Sequence, residues 1–204
     1  MIHGKSVLAV IPSRGGSKRC PRKNTRPFRG KPLIEWTIEA AQQSQYLDQI
    51  VVSTDDAVAA AIALRMNVPI IMRPPELCTD EAKSEDAMRH VLDCYQAHPF
   101  YKGLTAVPDW IVLLQPTSPL RIAEDIDACI ERAQGKNIAI SYVPVNDGFK
   151  KNGAVYVCLS SDLKAGLNFD RPASIYMMPE SRSLDIDYAE QFDEPPKTNS
   201  PSGY

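Results

Sequence analysis

No apolar run in this 204-residue chain approaches the ~18 residues that a membrane-spanning helix requires. The opening segment carries one lysine before Val7-Leu-Ala-Val-Ile11, too short an apolar stretch for a secretory signal. Positive charge is not in excess: 23 Lys and Arg face 25 Asp and Glu, a net charge of -2. Proteins held on nucleic acid by electrostatics are usually basic, so nucleic acid is not the expected partner, and neither is a membrane. Paired cysteines are also missing. Cys20, Cys78, Cys94, Cys129 and Cys158 are odd in number and no Cys-x-x-Cys occurs, which favours free thiols in a reducing compartment. Three familiar signatures are absent: the Walker loop G-x-x-x-x-G-K-[ST], the dinucleotide loop G-x-G-x-x-G and the nucleophile elbow G-x-S-x-G. Covalent acyl chemistry therefore has no support, and a cytoplasmic protein is expected.

What is present is globular in composition, with 44% hydrophobic and 24% charged residues. A chain of this size falls near the usual ~100–200 residues of one domain and buries roughly 70% of its extended surface. One domain is expected over residues 1–192. The tail 193–204, with Pro195, Pro196 and Pro201, is expected to be disordered.

Short apolar runs alternate with helical periods. Val7–Ile11, Ile50–Val52, Ile70–Met72, Trp110–Leu114, Ile138–Tyr142, Ala154–Val157 and Ile175–Met178 read as strands. Ile34, Thr37, Ile38 and Ala41 mark one face of a helix over Pro32–Ser44, and helices are also expected through Val58–Arg65, Met88–Tyr95 and Ile126–Ala133. The third should stop near Pro99. Strands that are apolar throughout are buried on both faces. The expected fold is α/β, a mostly parallel sheet with helices on both faces. Ligands of such sheets bind beyond the carboxyl ends of the strands, which directs attention to the segments after Ile11, Val52, Met72 and Leu114.

After the first strand comes a basic glycine loop. Gly15 and Gly16 let main-chain N–H groups approach an anion, with Ser17 beside them. Arg14, Lys18, Arg22 and Lys23 supply charge that can neutralise a triphosphate. After Leu114, the loop Gln115-Pro-Thr-Ser-Pro-Leu-Arg121 combines two backbone-fixing prolines with directed polar groups (Gln115, Thr117, Ser118, Arg121), as suits reading a ligand edge. Near the end of the chain, Asp185 and Asp187 lie two apart on an extended segment and leave the same face. Such carboxylates repel unless a cation lies between them, and oxygen ligands plus substrate phosphates are the usual way Mg²⁺ is held. The pair Asp55-Asp56 reads more simply as a helix cap. His90, Cys94 and His98 share one helix face but have no fourth ligand at standard zinc spacing.

These motifs, taken together and in order, resemble the CMP-sialic acid synthetase family, cytidylyltransferases that activate nonulosonic acids. The matching segments are Ile11-Pro-Ser-Arg-Gly-Gly-Ser-Lys18, Pro21-Arg-Lys-Asn24, Gly30-Lys-Pro-Leu-Ile34, Val52-Ser-Thr-Asp-Asp56, Arg73-Pro-Pro-Glu-Leu77, Leu114–Arg121, Asn152-Gly-Ala-Val-Tyr156 and Ser183-Leu-Asp-Ile-Asp187. The resemblance implies a Rossmann-like nucleotidyltransferase fold. It implies that Arg14, Lys23 and Asn24 contact the CTP phosphates or ribose, that Arg73 and Ser84 enclose the cytosine, that Gln115 faces the sugar, and that Asp185 and Asp187 hold Mg²⁺. CMP would pass from CTP to a sialic- or legionaminic-type acid sugar, with pyrophosphate leaving. The sequence departs from the family between Tyr142 and Asn152. There a dimerisation arm and an Arg/Gln-rich carboxylate grip are reduced to Val143–Lys151, leaving Lys150 or Lys151 as the local cation and the usual homodimer without its main support. Tyr188 also stands where the family usually has Thr. Two other functions compete: a nucleotide-binding paralogue without catalysis, motivated by the shortened segment, and a nucleotide-sugar glycosyltransferase, motivated by the D-x-D of Asp185 and Asp187.

Overall fold

The computed structural model describes residues 1–17, 19–97, 107–170 and 173–193. Lys18, His98, the expected helix stop at Pro99 and the tail from Glu194 onward lie outside the described residues. The elements run β1 (Val7–Ser13), β2 (Pro27–Phe28), β3 (Lys31–Pro32), α1 (Leu33–Gln42), β4 (Gln49–Thr54), α2 (Ala57–Arg65), β5 (Ile70–Met72), α3 (Ser84–Ala97), β6 (Trp110–Leu113), α4 (Ala123–Ala133), β7 (Ile138–Val145), β8 (Gly148–Leu159), α5 (Ser160–Lys164) and β9 (Ser174–Met177).

Seven strands form one sheet in the order β5-β4-β1-β6-β8-β7-β9, while β2 and β3 pair separately. β5, β4, β1 and β6 are parallel. β8 runs antiparallel to both β6 and β7, and β9 is parallel to β7. The central strand β1 shows why the apolar runs are continuous. Val7, Ala9 and Ile11 pack towards α1, α2 and α4, whereas Leu8 and Val10 pack towards α3 and α5. Period-2 alternation thus feeds two cores, one on each face of the sheet.

Local chemistry sets the helices. α2 is built from Ala57-Val-Ala-Ala-Ala-Ile-Ala-Leu-Arg65, dominated by the best helix former, and the Asp56 side chain accepts from Val58 N–H at 2.8 Å to cap it. Pro32, with its fixed φ, leads into α1. Asp125 in the first turn of α4 accepts from Ile122 N–H and also receives Tyr176 Oη and two nitrogens of Arg182, tying α4 to the last strand and the turn beyond it.

The segment expected as a remnant arm forms the tip of a long β7–β8 hairpin. Val145 pairs with Gly148 across a two-residue turn, Asn146-Asp147, and Gly148 takes a φ of +136° that a side chain would resist. Further down, Ile140 pairs with Tyr156 but Tyr142 pairs with Lys151, so β8 bulges over Asn152–Val155. The Ser141 hydroxyl fills this irregularity by donating to Asn152 Oδ1 at 2.7 Å and accepting from Val155 N–H at 2.8 Å.

A third, smaller core joins the beginning and end of the chain. Cys20, Phe28 and Leu33 pack against Ile186 and Phe192, with Leu184 and Trp36 at its edge. Ile186 is fully buried. Its removal leaves a cavity in a small cluster that nothing else can fill. Ile186→Ala should cost about 2–4 kcal/mol, against about 0.5–1.5 kcal/mol for Ile186→Val. Chemical denaturation of the two variants checks this, and equal losses would show that the last segment is not anchored there.

Candidate active site

A cavity of about 340 Å³ opens beyond the carboxyl ends of β1, β5 and β6, bounded by the loops that follow them and by Asp185 and Asp187. Arg14, Ser17, Lys23 and Asn24 line it from the loop after β1; Arg73 and Ser84 line it beyond β5; Gln115 and Thr117 do so from the loop after β6; Asp185 and Asp187 close it. Ten of the residues singled out from the sequence therefore share one wall system.

Each side chain has an identifiable support. Asn24 is buried within a single 3-10 turn, Lys23–Thr25, that follows Arg22 in a left-handed conformation (φ 55°). Arg14 reaches the segment after β5, donating to Thr79 O at 2.7 Å and pairing with Asp80 at 2.8 Å. Arg73 is buried, and its Nε and Nη2 donate to the Ser53 hydroxyl and carbonyl at the end of β4. Burial pushes its pKa down. Lys23 Nζ donates to Asp187 Oδ1 at 3.0 Å.

The carboxylates differ. Asp187 is 46% exposed, while Asp185 lies deeper, and burial followed by the Asp187 charge pushes its pKa up against the lowering effect of its bond to Thr117. One oxygen, Asp185 Oδ1, is buried with no hydrogen-bond partner among the described residues. An orphaned, acceptor-only oxygen beside a second carboxylate suits a hard cation that takes its remaining ligands from substrate oxygens. The residues present therefore fit a divalent metal, although among the described residues no group of three or more His, Cys, Asp or Glu does so alone.

Other residues singled out from the sequence do not themselves line this cavity. Gly15 and Gly16 lie between Arg14 and Ser17, which do. The Gly15 N–H donates to Asp55 Oδ1 at 2.8 Å, so the glycine serves close packing: a Cβ there would sit 3.3 Å from that of Asp56. Ser118 is fully buried, with its hydroxyl donating to Asn152 O at 3.4 Å. His90 Nε2 lies 3.5 Å from Cys94 Sγ, but burial pushes the imidazole pKa down and the thiol pKa up, and no third donor joins them among the described residues.

Other supports were not foreseen. Gln191 accepts from Asp187 and Tyr188 N–H at 2.7 and 2.8 Å and donates to Asp185 O at 2.9 Å, strapping the acidic segment. Arg121, expected from the sequence to offer hydrogen bonds to a ligand edge, is instead buried, its pKa pushed down to about 9 by desolvation, and donates to Gln115 O, Ala154 O and Thr37 Oγ1. It holds the loop after β6 onto α1 and the β8 bulge. Gly153, in that bulge with a φ of +77°, lets the bulge pass against the site: a Cβ would meet Gln115 Oε1 at 2.9 Å and Asp185 Oδ2 at 3.2 Å.

The family model described as cytidylyltransferase matches residues 8–171. The chain belongs to the cytidylyltransferase family. Among its relatives, CMP-N,N'-diacetyllegionaminic acid synthase of Legionella pneumophila is 40% identical over 143 residues, covering 69% of this chain and 59% of that protein. N-acylneuraminate cytidylyltransferase of Streptococcus agalactiae is 31% identical over 221 residues, covering 91% of this chain and 51% of the relative. The chain thus spans between half and three-fifths of the length of these cytidylyltransferases. A solved CMP:2-keto-3-deoxy-manno-octonic acid synthetase, complexed with CTP, superposes with a TM-score of 0.73 over 92% of this chain and 95% of that one at 16% identity, a likeness of fold. Among the described residues no helix is long and apolar enough to cross a membrane.

In this member of the family, Gly153 and Gly4 provide a controlled comparison. Their φ angles are +77° and +76°, but Gly4 has open space where a Cβ would point. Gly4→Ala should cost about 1 kcal/mol from backbone strain alone. Gly153→Ala should cost at least about 1 kcal/mol more, because Gln115 and Asp185 must also shift. Urea denaturation of both variants measures the difference; equal costs would mean that the bulge does not press on the site.

Proposed function

We propose that this chain transfers CMP from CTP to a nonulosonic acid of the sialic or legionaminic type, releasing pyrophosphate. The observation that carries this reading is the convergence of Arg14, Lys23, Asp185 and Asp187 on one cavity, with a second cavity adjoining at Asp185. The names of the Legionella and Streptococcus relatives support the choice of acid sugar.

The triphosphate would lie against Arg14, Lys23 and Asn24. Arg73 and Ser84 would bound the cytosine, Arg73 being fixed in place by Ser53. Gln115 and Thr117 would face the ribose and the incoming sugar. The acceptor hydroxyl attacks the α-phosphorus, the bond to the bridging oxygen of pyrophosphate breaks, and the departing charge falls near Arg14 and Lys23. Asp185 and Asp187 would hold Mg²⁺, which supplies Lewis-acid charge at the transferring phosphoryl group. No protein nucleophile is required; positioning and charge complementarity carry the step.

The adjoining cavity, of about 660 Å³, runs between the β7–β8 hairpin and residues 180–185. It is the natural seat for the acid sugar, and its cations differ in availability. Arg182 is committed to Asp125. The Lys151 ammonium turns to Phe169 O at 2.5 Å and Asp170 at 3.3 Å. Lys150 is exposed, and Arg29 is exposed with its guanidinium over the Phe28 ring at 5.0 Å. Lys150 and Arg29 are therefore the residues assigned to the sugar carboxylate. The shortened hairpin favours one alternative, a nucleotide-binding protein without transfer.

Pyrophosphate release is measured with CTP, Mg²⁺ and a panel of nonulosonic acids. Release with one acid is expected. Asp187→Ala should lower kcat at least roughly a hundredfold. Lys150→Ala and Arg29→Ala should each raise the KM for the acid about tenfold, or about 1.4 kcal/mol, with the KM for CTP unchanged. CTP-induced thermal stabilisation without pyrophosphate from any acid would replace this reading with the nucleotide-binding one. Turnover of a UDP-sugar with CTP ignored would replace both.

A further inference from the structure

Lys23 occupies an unusual position for a residue facing a triphosphate cavity. Its side chain is only 15% exposed, and its ammonium is bonded to Asp187, one of the two carboxylates suited to a divalent cation. Asp185 lies beside that pair with one oxygen buried and orphaned. The charges do not balance: two carboxylates carry -2 and Lys23 returns +1. A metal ion arriving alone meets a half-neutralised pair with an ammonium already on it, and the two cations repel. A metal ion arriving with a triphosphate meets a different situation. The phosphates enter the same cavity that Lys23 lines, so the ammonium can exchange Asp187 for a phosphate oxygen without passing unpaired into water.

The residue type suits such an exchange. Lysine presents a compact point charge on a flexible stem, whereas arginine would grip a carboxylate with a fixed fork. The backbone need not move. Arg22 holds its left-handed turn, Asn24 is buried, and the Arg26 N–H bonds back to Arg22 O at 2.9 Å, so the motion is confined to the lysine side chain.

On the reading that this cavity takes a nucleoside triphosphate, we propose that Lys23 is a built-in stand-in for the divalent cation. It neutralises Asp187 while the site is empty and transfers to the triphosphate on loading. The carboxylate pair therefore takes up metal together with nucleotide and only weakly without it. The coupling is reciprocal, as linkage demands.

The test is Mn²⁺ binding to the nucleotide-free protein, followed by the electron paramagnetic resonance signal of unbound Mn²⁺. Lys23→Met should tighten Mn²⁺ binding about tenfold relative to the parent, and Lys23→Arg should not. Adding Asp187→Asn to Lys23→Met should abolish the gain, showing that it arises at this carboxylate. With a non-hydrolysable CTP analogue, the parent should bind Mn²⁺ more tightly than without it, and Lys23→Met should show a smaller enhancement. Circular dichroism checks that each variant is folded. An unchanged or weaker Mn²⁺ affinity in folded Lys23→Met overturns the proposal. Failure of the parent to bind the analogue would count against the nucleotide reading, while the nucleotide-free comparison would still decide whether Lys23 competes with metal.

Discussion

The burial of Ile186 is the contact on which the site depends. Leu184 and Ile186 have the same parity along an extended segment and enter the third core, with Ile186 fully buried; Asp185 and Asp187 have the opposite parity and face the cavity. One apolar side chain thereby fixes the direction of two charged ones. The core that receives it contains Cys20, Phe28 and Leu33, which also immobilise the chain on either side of Lys23 and Asn24. Hydrophobic packing alone brings the cations of the first loop opposite the carboxylates of the last segment, across more than 160 residues of sequence. The Ile186 N–H bond to Thr117 O at 2.8 Å and the Gln191 strap then set the height of that segment against the loop after β6.

This arrangement concentrates electrostatic tension instead of dispersing it. Arg14 and Lys23 each hold a carboxylate, Asp80 and Asp187, and Asp185 retains a buried oxygen without a partner. These groups would be more favourably placed in water; they are held here by the packing around them. Arg121 bears the same kind of cost for a different purpose. Its buried guanidinium makes hydrogen bonds only to uncharged groups and so joins α1, the loop after β6 and the β8 bulge into one rigid wall. The loop after β6 thus stands on a desolvated, hydrogen-bonded support, as precise placement of a reactive group requires.

Periodicity carried most of the fold because it reports burial, and burial on both faces is what a parallel sheet demands. The seven apolar runs became strands of the main sheet, and the four helical periods became α1 to α4. The collection of site residues was legible for a related reason: polar groups placed just past apolar strands can only converge at one sheet edge. What was not legible depended on partners distant in sequence. Nothing local marks Ser118 as inward-facing, because Asn152 supplies its partner. The β8 bulge is braced by a serine on the neighbouring strand, and within that bulge Gly153 has a positive φ and lies close to Asp185. Gly15 was read as part of a phosphate-approaching loop, but its N–H donates to Asp55, just past the end of the neighbouring strand β4.

The hairpin shows how one short turn decides which side chain is left exposed beside a cavity. A two-residue turn between Val145 and Gly148 returns the chain at once, so β7 and β8 stay paired almost to their tips. Residues on that hairpin alternate by face, and Lys150 and Lys151 must diverge. One turns to Asp170 and Phe169, while the other is left exposed beside the cavity that opens at Asp185. Strand geometry therefore selects a single lysine from the pair. Arg29 enters the same cavity from a left-handed position in the β2–β3 turn, where φ is 48° and its guanidinium rests over Phe28. Phe28 also belongs to the core that seats Ile186. The cation assigned to the acceptor and the carboxylates assigned to the metal are thus referenced to the same small cluster, so a change in that packing alters both halves of the site together.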